Sequence, residues 1–509
     1  MEKLLIEMIV QHAEEQPDKT ALASKSEVLT YAALVRRIKT VALRLAELGI
    51  AKGDKVLLSA PTRNETVIAY LATQYIGAVT VFIDKNMPLS NISYIYREVG
   101  SNLFISSTEP DGSEGMRHIQ LLNLCEDGDA AEIAYSRPED DALAEMLYTS
   151  GSTGRPKGVV HTNGSVTALL RNTAKGTGVT RDDVILLPLP LNHSFALRVM
   201  RAYFYSGGTI VLQNGFTFIK IMEDNIENFG VTGVIMVPAT IEKLYRQMGD
   251  GFSKTLGRLR YVEVGAGALT VRQRKVFAKA LGQTTLFNTW GSSETGGVFF
   301  FNVSEYVDDD EALSALGYPI ENVEVRIDES LVPPEDALFE GLGRICLKGS
   351  MIMDCYWNQP DVTADALRGE WIVTGDLGYR DARGMIHMVG RSDDMINVGG
   401  EKVAPIEVEN AAIGGIRECA CVGVPDEEGI LGEVPAFFYV PDSDEVNEQS
   451  LKRSFSENLE RYKVPVLYIR MDALPRNAMG KIRRGDLKKH FREYRDGKIT
   501  EKAFDSSFE

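Results

Sequence analysis

At 509 residues the chain exceeds what one hydrophobic core ordinarily supports, so at least two domains are expected. Its 44% hydrophobic and 25% charged residues are those of an ordinary globular protein, and a formal net charge of −17 argues against DNA, RNA or an anionic membrane surface as partner. No stretch approaches the roughly 18 consecutive apolar residues of a membrane span. The first residues, MEKLLIEMIVQHAEEQ, read as an amphipathic helix interrupted by Glu7 and followed by Glu14 and Glu15. They lack the cationic start and unbroken apolar run of a signal peptide, so the cytoplasm is the expected location.

From Tyr31 onward, helical and strand patterns alternate. Ala32 to Leu48 has apolar residues at helical spacing; Lys55 to Ser59 reads as a buried strand; Glu65 to Tyr75 is again helical; Val79 to Ile83 is a second strand. The alternation resumes with strands at Val184 to Leu187, Thr209 to Leu212 and Val234 to Val237, and a helix over Ser194 to Tyr205. Parallel strands with crossover helices are the expected arrangement. Between about residues 303 and 390, short strands (VEVRI, RICLKG, WIVTG, MIHMVG) separated by Gly, Pro and Asp turns predict a small β subdomain. Beyond Arg391 the pattern becomes α+β, with strands at Ala420 to Val424 and Val434 to Val440 and helices at Glu448 to Leu459 and Arg484 to Glu493. The expected fold is therefore α/β: a large N-terminal domain of layered α/β subdomains plus a small β subdomain (residues 1–392), then a small α+β C-terminal domain (393–509) joined by a hinge at Asp393. The five cysteines (Cys125, Cys346, Cys355, Cys419, Cys421) lack zinc-site spacing and are read as core residues.

One segment carries chemistry by itself. LYTSGSTGRPKGVVHTN joins an apolar lead-in to a turn rich in glycine and hydroxyls, with Lys157 at its end. Glycines let backbone approach a ligand closely, and Thr149, Ser150, Ser152, Thr153 and Lys157 together suit an oligophosphate. The Walker pattern fails, because Pro156 precedes Lys157 and Gly158 follows it. The dinucleotide pattern fails too, since Gly265-Ala266-Gly267 has no third glycine in register. A bare surface turn remains an alternative for this segment alone.

The segment TSGSTGRPKG resembles the phosphate loop of the adenylate-forming superfamily, which includes acyl- and aryl-CoA synthetases. Four further segments resemble that family's motifs in the right order: NTWGSSETGG (Asn288 to Gly297), WIVTGDLGYRDARG (Trp371 to Gly384), GRSDDMINVGGEKVAPIEVE (Gly390 to Glu409) and PRNAMGKIRR (Pro475 to Arg484). The resemblance spans essentially the whole chain. It implies an AMP-forming ligase that joins a carboxylic acid to the α-phosphate of ATP, releases pyrophosphate and passes the acyl group to the thiol of CoA.

Each residue then acquires an expected role. ATP would be held by Thr149, Ser150, Gly151, Ser152, Thr153, Gly154 and Lys157, by Gly265, Ala266 and Gly267, and by Asn288, Thr289, Trp290, Gly291, Ser292 and Ser293. Trp290 offers a flat face to adenine and Asn288 a partner for its exocyclic amine. Asp376 would accept from the ribose hydroxyls, with Arg391 nearby, and Lys402 would approach the phosphates in one of two domain arrangements. Glu294, a hard oxygen donor, would bind magnesium together with Thr149. The resemblance makes Lys481 the catalytic cation on the α-phosphate, delivered by a C-terminal domain that then swings away to admit a thiol past Val398, Gly399 and Gly400.

The acid pocket is expected among His193, Phe195, Val237, Pro238, Val264, Ala266 and Gly291. His193 resembles a histidine that gates this pocket or flanks the carboxylate. Gly291 lies where acetate- and propionate-specific relatives have tryptophan, so acids larger than propionate are expected. Arg198 and Arg201 raise the possibility of a dicarboxylate or keto acid. The alternative acceptor is a carrier-protein phosphopantetheine or an amine; no carrier domain follows Glu509, which favours CoA.

Overall fold

The computed structural model describes residues 2–110, 112–113, 115–128, 132–149, 156–333, 337–426, 430–477 and 480–495. Two large sheets dominate the first part of the chain. One runs, in spatial order, Gly296–Asn302, Thr285–Ser292, Tyr261–Val264, Gly233–Met236, Val184–Leu187, Thr209–Leu212, Thr20–Ala23 and Val28–Thr30. The other runs Cys355–Tyr356, Lys157–Thr162, Leu143–Thr149, Val79–Phe82, Lys55–Ser59, Leu103–Ser106 and His118–Gln120. Their central strands pair in parallel, as the apolar runs predict. Three of the four sheet edges end in antiparallel pairs, which the alternation did not anticipate; the fourth, Leu103–Ser106 with His118–Gln120, stays parallel. Those outer pairs matter most, because they carry the loops of the site.

A third, antiparallel sheet holds Ala315–Gly317, Ile386–Arg391, Trp371–Arg380, Gly343–Lys348 and Glu324–Asp328, the expected β subdomain. The C-terminal part is smaller: a ribbon of Ile396–Val398 with Glu401–Val403, and a sheet of Ile416–Pro425, Glu433–Pro441 and Leu467–Arg470. Helices Glu448–Asn458 and Arg484–Arg495 accompany it.

Buried side chains divide where the chain passes from Met395 to Ile396. Met395 packs with Val332, Leu342 and Leu377 of the β subdomain. Ile396 packs with Val403, Phe437 and Phe455 of the C-terminal part. Separate cores permit separate motion. The N-terminal helix, Leu5–Glu15, buries Leu5, Ile6, Ile9 and His12. All five cysteines are free thiols, three buried and two partly buried. Cys419 and Cys421 share a face of one strand and pack on the Phe437 core.

Candidate active site

Two hairpins meet at the first half of the site. Strand Leu143–Thr149 pairs antiparallel with Lys157–Thr162, setting Thr149 opposite Lys157. Of the phosphate-loop segment, Ser150, Gly151, Ser152, Thr153 and Gly154 lie outside the described residues. The second hairpin joins Thr285–Ser292 to Gly296–Asn302, with Ser293 and Glu294 at its tip. Tyr356 links the two: its hydroxyl donates to Glu294 Oε1 at 2.8 Å, and Lys157 Nζ lies 5.5 Å from its ring centre. Burial, then the Glu294 carboxylate, push the Tyr356 hydroxyl well above its ordinary range, so it stays a donor. Behind the tip, buried His161 pairs through Nε2 with the Ser293 carbonyl at 2.8 Å and through Nδ1 with Ser165 Oγ at 3.2 Å. Burial holds His161 below the ordinary histidine range, so at neutral pH the ring is uncharged, with Nε2–H donating and Nδ1 accepting. Ser292 braces the turn instead of facing outward: its hydroxyl accepts from the Glu294 amide at 3.2 Å. Neither Tyr356 nor His161 was found from sequence, since neither belongs to the segments that carry the resemblance's named roles.

The second half gathers residues more than a hundred positions apart. Strands Trp371–Arg380 and Ile386–Arg391 place Asp376 directly opposite Arg391, with Nη1 3.7 Å from Oδ1. Asp376 is buried, which raises its carboxyl above the ordinary range; Arg391, Lys481 and the Trp290 indole act against that rise. Lys481 keeps contact with solvent, yet the protein packed around its ammonium, with Arg391 beside it, holds it below the ordinary lysine range. Asp376 and Asp394 pull the other way. Lys481 arrives on a turn closed by Asn477, whose Oδ1 accepts from its amide at 3.0 Å. At Gly480, a Cβ would lie 3.2 Å from Val237 and 3.7 Å from Ala239, so the turn seats on the large N-terminal part.

The Gly265-Ala266-Gly267 turn leaves the carboxyl end of strand Tyr261–Val264, where ligands bind in open α/β sheets. Ala266 has φ +62°, a left-handed conformation costly for a residue with a Cβ. Asn288 and Thr289 are both engaged within the protein. Asn288 is buried, its amide donating to the Val264 carbonyl at 3.0 Å and its oxygen accepting from Arg274 at 2.9 Å. The Thr289 hydroxyl accepts from Arg198 at 3.2 Å, on the opposite face of the strand from Asn288. Trp290 packs edge-on against Phe299.

Four pocket and channel expectations need correction. Arg198 and Arg201 are not free to bind a second carboxylate. Arg198 pairs with Glu263 at 2.5 Å and Arg201 with both oxygens of Glu145 at 2.5 and 2.6 Å, all four residues buried. Val264 has no exposed surface and belongs to a core with Met236 and Phe277, so it does not form a wall. Gly291 owes its identity to the hairpin: a Cβ there would sit 1.7 Å from the Gly296 carbonyl oxygen, so its emptiness is no measure of pocket size. Val398 points into the core with Phe437, leaving only Gly399 and Gly400 exposed at the ribbon turn. The others stay near the tip. Phe195 backs Gly265, and Ser194 accepts from Ser293 Oγ at 3.3 Å. His193 caps the same helix, its Nε2 3.9 Å from Asp84 and without a hydrogen-bond partner among the described residues. Burial holds the His193 imidazole below its ordinary range, with Asp84 opposing. Lys402 sits on the ribbon opposite Asn397.

Comparison with known proteins places the chain in a family and matches its fold. Residues 9–357 match the family model of the AMP-binding enzyme, and residues 406–481 that of the AMP-binding enzyme C-terminal domain. The long-chain-fatty-acid–CoA ligase FadD13 of Mycobacterium tuberculosis is 30% identical over 485 residues, covering 91% of this chain and 93% of the relative. The o-succinylbenzoate CoA synthetase of Bacillus subtilis, solved with an acyl-adenylate intermediate, superposes with a TM-score of 0.82 at 26% identity, covering 94% of this chain and 97% of that one. The same enzyme solved with ATP and a magnesium ion gives 0.81 at 26% identity, covering 94% and 99%.

Proposed function

The chain belongs to the AMP-binding enzyme family, and from that membership we propose how its residues divide the work of an AMP-forming acid–CoA ligase. ATP, magnesium and CoA are the co-substrates and metal that its relatives imply. Supporting the assignment is the closeness of Lys481, Asp376 and Arg391 from three segments, with Arg391 near enough to act on the Tyr356 hydroxyl that donates to Glu294.

Asp376 accepts from the ribose hydroxyls, and Lys157 neutralises oligophosphate. Among the described residues no group of three or more His, Cys, Asp or Glu could cage a metal. Magnesium needs no such cage, because one carboxylate plus substrate phosphates suffices; Glu294, with Thr149 beside the loop, provides hard oxygens of the right kind. When bound, the ion neutralises charge on the phosphate oxygens. The acid's carboxylate oxygen attacks the α-phosphorus, the bond to the bridging oxygen breaks, and pyrophosphate leaves. Lys481 supplies positive charge to the α-phosphate as it becomes five-coordinate. Neutral His193, its Nε2 without a hydrogen-bond partner among the described residues, hydrogen-bonds the carboxylate and holds it in line. The thiol sulfur of CoA then attacks the acyl carbon, the C–O bond to AMP breaks, and the thiol proton passes to solvent. For that second step the C-terminal domain (393–509) turns about Asp393, withdrawing Lys481 and presenting Gly399 and Gly400 to the pantetheine arm. The acids named for the relatives, long-chain fatty acids and o-succinylbenzoate, support an acid larger than propionate.

Pyrophosphate release over a panel of acids, with and without CoA, tests this reading. ATP-dependent release with at least one acid, and a CoA thioester as product, are expected. Lys481→Ala should lower adenylation by about a hundredfold or more while sparing thioester formation from pre-made acyl-adenylate. No release with any acid overturns the proposal. Release that ignores CoA but responds to a carrier protein or an amine replaces the acceptor.

A further inference from the structure

Beneath the hairpin tip lies an ion pair whose chemistry is incomplete. Glu263 has no exposed surface. Its Oε1 accepts from Arg198 Nη2 at 2.5 Å, and its Oε2, equally buried, has no hydrogen-bond partner among the described residues. A buried carboxylate oxygen left unpaired costs far more than one hydrogen bond contributes. The neighbouring pair shows what completion looks like. One helical turn on, Glu145 receives Arg201 on both oxygens and the Tyr70 hydroxyl at 3.3 Å on Oε2.

The incomplete pair lies beside residues expected to form the acid pocket. Arg198 stacks over Phe195, 4.7 Å from its ring centre, and over Phe300 at 5.3 Å. It reaches Thr289 at 3.2 Å, and its guanidinium carbon lies 3.3 Å from where a Cβ on Gly297 would be. Phe195 follows Ser194, the partner of Ser293 at the tip, and backs Gly265 on the adjacent turn. Glu263 stands at the carboxyl end of its strand, two residues before that turn. A buried ion pair is seldom retained for stability, since a well-packed apolar pair of similar volume serves as well or better.

We propose that the acid activated here bears a hydrogen-bond donor away from its carboxylate, a hydroxyl or an ammonium group, which binds Glu263 Oε2. This deepens the ligase reading and rests on it. Arg198, which can only donate, holds Oε1 and so fixes Oε2 as the acceptor presented to the substrate. An acid without the donor leaves that oxygen unpaired in the complex and is rejected.

The test uses the full-length enzyme and pyrophosphate release with matched acids: para-hydroxybenzoate against benzoate, para-hydroxycinnamate against cinnamate, and ω-hydroxy- and ω-aminohexanoate against hexanoate. The donor-bearing member of at least one pair should show about tenfold or higher kcat/KM, and the hydroxy and amino arms distinguish the two donors. In Glu263→Gln, Arg198 keeps the amide oxygen, so the amide NH2 faces the substrate. The preference should then fall by about tenfold and move toward acids carrying an acceptor, such as the para-methoxy analogues. Release from acids of the panel with every pair turned over within about threefold overturns this inference while leaving the ligase reading intact. No release from any acid overturns both. The wild-type pairs decide the matter even where Glu263→Gln fails to fold.

Discussion

Asp376 and Lys481 are displaced from their ordinary ranges in opposite senses, and under the roles proposed above adenylation needs the charged form of each. Asp376, raised mainly by burial, must be ionised to accept from ribose, and it is lost as pH falls through its raised value. Lys481, lowered mainly by its packed surroundings and then by Arg391, must be protonated to meet the α-phosphate. It is lost as pH rises through a value below the ordinary 10.5. The profile of kcat/KM for pyrophosphate release, which reports the free enzyme, should therefore be narrowed from both sides. Lys481→Arg, with a guanidinium that stays protonated, should remove the alkaline limb while leaving the acid limb in place. An alkaline limb unchanged in that variant would assign it elsewhere.

At the scale of elements, the first half of the candidate site lies at antiparallel edges of otherwise parallel sheets, and the second half on the antiparallel β subdomain and a C-terminal turn. The sequence made the central strands plain: Lys55–Ser59, Val184–Leu187 and Thr209–Leu212 match their apolar runs residue for residue. It hid the strands that return from each glycine-rich turn, Lys157–Thr162 and Gly296–Asn302, because long-range register leaves no periodic mark in a short segment. Site residues followed the same division. Glu294, Asp376, Arg391 and Lys481 could be proposed from motifs, whereas Tyr356, His161 and Glu263 meet partners 62, 132 and 65 positions away, which no motif signals. Gly291 was legible as a position but not as a cause. With a Cβ 1.7 Å from the Gly296 oxygen, Gly291→Ala cannot close its hairpin without moving backbone. Overpacking of this kind costs about 1–3 kcal/mol. The expected result is a lowered thermal midpoint and about tenfold or greater loss of pyrophosphate release with every acid alike. An unchanged midpoint with a shifted preference in acid size would restore the pocket-opening role.

Across the whole molecule, the role proposed for Lys481 requires the C-terminal part to rest against the N-terminal one. Gly480 seats on Val237 and Ala239, and Arg272 lies 3.5 Å from where a Cβ on Gly414 would sit. The polar tie is Arg246, on helix Pro238–Met248, which grips both oxygens of Asp442 just beyond strand Glu433–Pro441. Both side chains are about a third exposed, so the pair is worth no more than about 1 kcal/mol. The proposed swing is compatible with a tie of that strength, whereas a much stronger one would trap the adenylation arrangement. Asp442→Ala should therefore slow adenylation by about two- to fivefold. Thioester formation from pre-made acyl-adenylate should be unchanged or faster, since the released domain reaches the second arrangement more readily. Raising ionic strength should produce the same partition in the unmodified enzyme and less of it in the variant. Exchanging the charges, Arg246→Asp with Asp442→Arg, should recover most of the lost rate. If both half-reactions fell together in Asp442→Ala, the pair would be bracing the fold and not the arrangement, and the choice between the two states would lie with the Lys481 turn and its apolar seat.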